Sequence, residues 1–545
     1  MIVGDIKRIN LTDSSFERMI VDGNLYVDKT KFIENFLNNA NNVQLITRQR
    51  RLGKSLNLDT LYCFLTDKTD YRHLFKGLYI EKSPVWEKAN SAPVFHFDFK
   101  SLQAGSYKEQ ITDQIENHVY SIVDPKKMSE RFKRRFEKII HDPDTVVGGL
   151  LFLTELAYEI TGKNSYILID EYDKLLLDSY DTDKYEEIRK FETAFLSAGV
   201  KGNRYLNKAI LTGVLRISHE GMMSDLNNLV TYDVFNDNTY TDDYGLTTEE
   251  MIELCRLTSA DLDEMTAWYN GVRINGKAIY NIYAVMSCLS HGSYDCYWGK
   301  SGALDMIPRM LNDERKLIIA KLLNGEKAEL LVNDRISLKQ LTADTVDEAF
   351  YSLLVQGGYL SLDEKITDRK TYLLSIPNKE LRKVWKDFIL TNLYSGKMMV
   401  KTLFDNANTP EIFARDLEYF LSDRLSYFDL ESYRDEDEKK THERVYHIFL
   451  LGLLSGYDDV RYKRPVSNRE SGDGRYDLFV ERNGHNFIFE FKSCANKESL
   501  ETEAVNALEQ IELKRYGVDI ENYKQLIKIG VAFYGKQCRV KCIVF

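Results

Sequence analysis

The chain has 545 residues, 43% hydrophobic and 29% charged, with only 8 Pro. That composition excludes a disordered or fibrous protein and suits about three or four globular domains. The formal net charge of −11 argues against coating nucleic acid through bulk charge and leaves only local basic surfaces for such contact. No apolar run reaches the ~18 residues that span a membrane, and MIVGDIKRINLTDSSFE at the start lacks a signal-peptide core.

Residues 1–245 alternate short apolar strands with helical stretches, the pattern of a parallel α/β sheet. The clearest strands are VQLIT (43–47), VFHFDF (94–99), YILID (166–170) and KAILTG (208–213). Residues 246–400 read mostly as helix, with a helix near 346–356 followed by GYLSL (358–362) and TYLLSI (371–376), a winged-helix-like order. A charged stretch, ESYRDEDEKKTHE (431–443), lies near the last boundary, and residues 401–545 return to α/β. Seven scattered Cys form no CxxC, so reduced thiols, a cytoplasmic protein and no zinc site are expected. Basic clusters occur at 48–51, 131–135 and 461–464; the plain reading of the middle one is a solvated face.

Strand VQLIT runs into RQRRLGKSLNLDTL. Gly53-Lys54-Ser55 before a helical pattern is the core of a phosphate-binding loop. Such a loop needs a backbone that wraps phosphates, a Lys for the β/γ-phosphates and a hydroxyl for magnesium. Lys54 therefore touches phosphate and Ser55 holds the metal, although the first Gly of GxxxxGK(S/T) would fall at Arg48. The matching half is strand YILID, which ends in Asp170-Glu171. Asp170 would bind magnesium and Glu171 would orient the attacking water. Thr212, at the end of KAILTG, stands where a γ-phosphate sensor would sit, with Arg216 just beyond.

A second site is written into residues 475–492. Asn483-Gly484 is a strong two-residue hairpin signal. Pairing around it sets Tyr476 opposite Phe491, Leu478 opposite Phe489 and Val480 opposite Phe487, so one side is wholly apolar and a slip by one would scatter it. The other side sets Asp477 opposite Glu490, with Lys492 two residues on. Opposed like charges destabilise a ribbon. A divalent cation between them would relieve that, and oxygen ligands favour Mg2+ or Mn2+. Such a metal activates water on a phosphodiester while Lys492 steadies the charge.

Several segments together resemble the bacterial and archaeal AAA-ATPase-like proteins that carry a C-terminal PD-(D/E)XK nuclease domain. They include YVDKTKFI (26–33), TRQRRLGKSLNL (47–58), LIDEYDKLLLD (168–178), LTGVLRIS (211–218), WYNG (268–271), YNIY (280–283), GGYL (357–360) and SIPNKELR (375–382). In that family the loop before the Lys is itself Arg-rich, and Pro is usual where this chain has Gln49 and Leu175. The resemblance implies ATP binding and a restriction-endonuclease-like C-terminal domain, with Asp477, Glu490 and Lys492 as its Asp…Glu-x-Lys signature. It also implies that Glu443, in HERVYHIFL (442–450), is the acid of a first nuclease helix. Gln510 in ALEQI would touch the site or the DNA backbone, and Lys514 and Tyr516 extend that face.

Two readings follow. In the first, the chain is an ATP-regulated, Mg2+- or Mn2+-dependent nuclease, with DNA expected over RNA. In the second, it is a nucleotide-switched scaffold whose nuclease-like domain only binds. The intact Asp477/Glu490/Lys492 set favours the first. Oligomerisation and a protein partner stay open, with Arg216 the candidate for an arginine acting across subunits.

Overall fold

The computed structural model describes residues 1–217, 228–299, 307–392, 410–424 and 462–545, apart from breaks at 308–309, 312, 324, 337, 339–346, 368–369, 468–469, 483–484, 521–522 and 535–536. The chain divides into two compact units, 1–303 with 329–381, and 304–328 with 382–545. No helix among the described residues is long and apolar enough to cross a membrane.

The first unit is built on a five-stranded parallel sheet. In chain order its elements are β1 (Val43–Thr47), α1 (Lys54–Leu65), β2 (Val94–Asp98), α2 (Tyr107–Ile122), α3 (Glu130–His141), α4 (Gly149–Thr161), β3 (Ser165–Asp170), α5 (Lys174–Ser179), α6 (Tyr185–Val200), β4 (Leu206–Gly213) and β5 (Leu229–Tyr232). The strand order is β2-β3-β4-β1-β5. Every residue of β1 and β3 is buried. That is the continuous apolar pattern of a parallel sheet covered on both faces. One covered face joins Phe32, Phe36 and Ile46 to Leu58, Leu61, Leu168 and Ile210. Because β1 sits between β4 and β5, the order reverses there, and the crevice at the strands' carboxyl ends is the place for a ligand.

Helices α7 (Thr248–Thr258), α8 (Leu262–Tyr269) and α9 (Ile282–His291) follow. Next come β6 (Ala328–Leu331), α10 (Asp347–Gln356), β7 (Ser361–Thr367) and β8 (Thr371–Ser375), with the strands ordered β6-β8-β7. The winged-helix-like order is present with a third strand. The first wing strand starts at Ser361, not at Gly358 as expected. Gly358 is instead a left-handed turn at φ +87° closing the helix, which keeps Gly-Tyr-Leu out of the ladder.

The second unit holds helix Asp313–Leu323, α11 (Pro410–Arg424), β9 (Tyr462–Ser467), β10 (Leu478–Arg482), β11 (His485–Ser493), α12 (Leu500–Leu513), β12 (Gln525–Tyr534) and β13 (Gln537–Val544). The strands lie in sequence order. All neighbours are antiparallel except β11 and β12, which run parallel with α12 as the crossover. On one face Phe413, Leu417 and Leu421 of α11 meet Leu478, Val480, Phe487, Phe489 and Phe491. On the other, Leu508 and Ile511 of α12 cover Ile488 and Tyr476. Helix α12 lies so close to β12 that a Cβ at Gly530 would come 2.3 Å from the Ala504 carbonyl oxygen. The hairpin has the expected register, Leu478 opposite Phe489 and Val480 opposite Phe487. The ladder ends there, however, and Tyr476 does not join the apolar side. It turns to the α12 face and meets Tyr516 edge-on, ring centres 6.3 Å apart.

Candidate functional site

The loop after β1 closes on itself. Gly53 has φ +87°, a conformation that glycine adopts without strain, and it starts α1. Lys54 is buried, and its Nζ donates to the carbonyls of Arg48 and Gln49, each at 3.0 Å. Burial lowers its pKa against the pull of Asp170, Asp173 and Glu171. Ser55 Oγ donates to Asp170 Oδ2 at 2.5 Å, while Thr212 Oγ1 donates to Asp170 Oδ1 at 2.6 Å. Thus β1, β3 and β4 bring Lys54, Ser55, Asp170 and Thr212 to one spot. Glu171 stands beside them with φ +51°, a backbone region costing a non-glycine residue about 1–2 kcal/mol. Its carboxyl pKa is raised, first by burial and then by Asp170. Backbone strain of this kind often marks a residue held for its chemistry.

Arg48, where a glycine was looked for, is fully buried, ion-paired with Asp237 and set 5.3 Å from the Tyr244 ring centre. The rest of the loop is held by the region beyond residue 245. The Arg50 carbonyl accepts from Trp298 Nε1 at 3.0 Å and from Asn281 Nδ2 at 3.4 Å. Gln49 lies against Gly358, where a Cβ would fall 1.6 Å from Gln49 Oε1. Arg216 stands apart from the Asp170 cluster: its Nη1 donates to Asp233 at 3.0 Å and Asp334 at 2.7 Å, and its amide donates to Gln356 Oε1 at 2.7 Å.

In the second unit Asp477, Glu490, Lys492 and Gln510 come together between the hairpin and α12. Gln510 bridges the strand residues: its Nε2 donates to Glu490, and its Oε1 accepts from Lys492 Nζ at 2.8 Å. Asp477 lies one residue outside β10 and accepts the Phe491 amide at 2.8 Å. Burial pushes its pKa up to about 6, against the pull of that amide and of Lys492. Tyr516 is buried against the same face. Glu443 and Arg461, and the helix expected at 442–450, lie outside the described residues. Among the described residues no group of three or more His, Cys, Asp or Glu is placed to hold a metal, so the local acidic donors are Asp477 and Glu490.

Residues 11–223 match a family model described as a predicted AAA-ATPase, and residues 441–542 match the PD-(D/E)XK nuclease superfamily. The chain carries an AAA-ATPase-like domain and a PD-(D/E)XK nuclease superfamily domain. A curated relative from Azotobacter chroococcum mcd 1, an uncharacterized protein in the vnfD 5' region, is 26% identical over 522 residues, covering 91% of this chain and 90% of its own. Among solved structures, a chain of the Drosophila ORC bound to AT-rich DNA and Cdc6 is matched at 12% identity, over 69% of this chain and 91% of that one. Its TM-score is 0.17, and nothing carries over from it.

Within the AAA-ATPase-like domain, sequence reading missed Asp173, whose Oδ2 accepts the amides of Val214 and Leu215 at 2.8 and 2.7 Å and so fixes the turn after β4. Its spacing three residues after Asp170 was the only signal. Asn281 and Gly358 fall in YNIY and GGYL, segments that carried the resemblance, but nothing local said that they dock on the phosphate loop.

Proposed function

We propose that the protein is an ATP-regulated, metal-dependent DNA nuclease. The observation that carries this reading is that Gln510 joins Glu490 and Lys492, while the Phe491 amide between those two residues holds Asp477, at a half-buried face of the nuclease domain. The donor set suits a divalent cation. Asp477, whose pKa burial raises, would be held charged by such an ion. Asp477 and Glu490 would hold Mg2+ or Mn2+, which when bound supplies a Lewis acid and an activated water. Lys492 places its ammonium beside the acids, where it would steady charge building on a phosphate. Gln510 orients both Glu490 and Lys492, and Glu443 is proposed as a further acid.

In the AAA-ATPase-like domain, Gly53 and Lys54 would hold the phosphates of ATP, and Ser55 and Asp170 its Mg2+. Thr212, which donates to Asp170, would register the γ-phosphate. Glu171 would orient the attacking water. Arg216 is proposed as a structural and signalling residue near the nucleotide, since Asp233 and Asp334 hold it.

The test is cleavage of linear, plasmid and single-stranded DNA in Mg2+ or Mn2+, with and without ATP. Asp477→Asn is expected to lower the rate at least a hundredfold with ATP binding intact. Lys54→Ala is expected to remove the effect of ATP while metal-dependent cutting persists. Absence of cutting on every substrate by folded, ATP-binding protein would overturn the reading in favour of a nucleotide-switched scaffold.

A further inference from the structure

Helix α3 carries a surface that neither candidate site uses. From Lys126 to Lys138 there are seven Lys and Arg against two Glu, in a chain whose net charge is −11. Phe132, Phe136 and Ile139 fix the rotation of α3 by burying one side, with Phe136 stacked on Phe152 of α4. At about 100° per residue, Arg131, Arg134 and Lys138 then fall within a roughly 60° arc, and Glu130 and Glu137 fall outside it. All three are exposed, as are Lys126 and Lys127 in the turn just before.

Several neighbouring charges are already engaged, while exposed Glu137 lies outside the stripe. Arg135 pairs with Glu155, and Lys133 with Glu130 at 3.2 Å. Asp124 accepts the Lys126 amide, Asp142 accepts the Asp144 amide, and the Asp144 carboxylate pairs with Lys108. Among the described residues no ion pair engages Arg131, Arg134, Lys138, Lys126 or Lys127. Arg131 with Arg134, and Arg134 with Lys138, are like-charge neighbours on a helix, an arrangement that costs stability when nothing opposes it.

We propose that this stripe is a docking surface for the phosphate backbone of duplex DNA. Arg131 and Lys138 are about 10 Å apart along the helix axis, a span that covers about three phosphates of one strand at 3.4 Å of axis each. The stripe offers no aromatic face of its own, since Phe132 and Phe136 point into the core, so it is built for backbone charge and not for stacking on unpaired bases. It would hold DNA independently of sequence and leave chemistry to the nuclease domain. The inference rests on the reading of the chain as a DNA enzyme.

The experiment measures binding of the full-length protein to a labelled 30-base-pair duplex across a range of NaCl, in an Asp477→Asn background so that nothing is cut. Replacing Arg131, Arg134 and Lys138 together by Gln is expected to weaken binding at least tenfold at 0.1 M NaCl. The slope of log affinity against log salt is expected to fall by about three, near 0.9 for each phosphate that the variant no longer neutralises. Glu137→Lys alone is expected to tighten binding, which guards against a triple variant that misfolds. Three results would overturn the proposal: no binding by the parent protein at low salt, a slope unmoved by the triple change, or tighter binding to labelled polyglutamate, which would assign the stripe to an acidic protein. Absence of cutting by the wild-type protein, with the slope effect intact, would count against the nuclease reading alone.

Discussion

Asp243 shows how one residue ties the helix after the phosphate loop to the rest of its domain. It is buried, accepts a hydrogen bond from Asn35 at 2.8 Å, and its carbonyl accepts from Asn57 of α1 at 2.9 Å. Burial pushes its carboxyl up to about 7, well above the ordinary range near 4. The folded state therefore holds this proton more firmly than the unfolded chain does. Its contribution to stability is full below pH 4 and is lost as pH rises to about 7, by up to about 4 kcal/mol. Asp243→Asn is expected to remove that downward slope, read as the difference between the two proteins in unfolding free energy from pH 4 to 7. None of this was legible in the sequence, where Asp243 is one acid in the polar run TDDYG. Asp477 differs. The register of its hairpin was legible from Leu478, Val480, Phe487 and Phe489, but the ladder stops at Leu478, and the Asp477 carboxylate accepts the Phe491 amide instead of pairing across with Glu490.

At the scale of elements, strands with unbroken apolar runs were easy to read, and β1, β3 and β4 fall within two residues of expectation because burial on both faces leaves no alternative. The wing strand was misplaced because Gly357-Gly358 looked like a turn leading into a strand, when its role is set by what lies against it. Gly358 lies where any side chain would strike Gln49 of the phosphate loop. Gly358→Ala is expected to cost about 1–2 kcal/mol in backbone strain and to displace Gln49, weakening ATP binding severalfold in a nucleotide titration. Gly77→Ala is the control. Gly77 has φ +81° with open space around its Cβ position, so strain alone should appear and ATP affinity should not move. Equal effects of the two changes on ATP affinity would remove the packing of Gln49 on Gly358 from any role in nucleotide binding.

Across the whole molecule, the same solution to buried acid appears in both domains. Asp170 is met by the hydroxyls of Ser55 and Thr212, Glu490 by the Gln510 amide, and Asp477 by a backbone amide. Each carboxylate has at least one oxygen met by a neutral donor of the chain itself. In small zinc domains, by contrast, the ion is a part of the folding free energy. Metal ought then to be a guest in this protein and not a strut. Dialysis against EDTA is expected to leave its melting profile within about 1 °C, and added Mg2+ should raise it only as mass action dictates, about 2.7 kcal/mol at a hundred times the dissociation constant. Collapse of either transition in chelator would show that an ion holds the fold. If the profile stays put, the protein can be purified, stored and crystallised stripped of metal, and its chemistry started by a single addition.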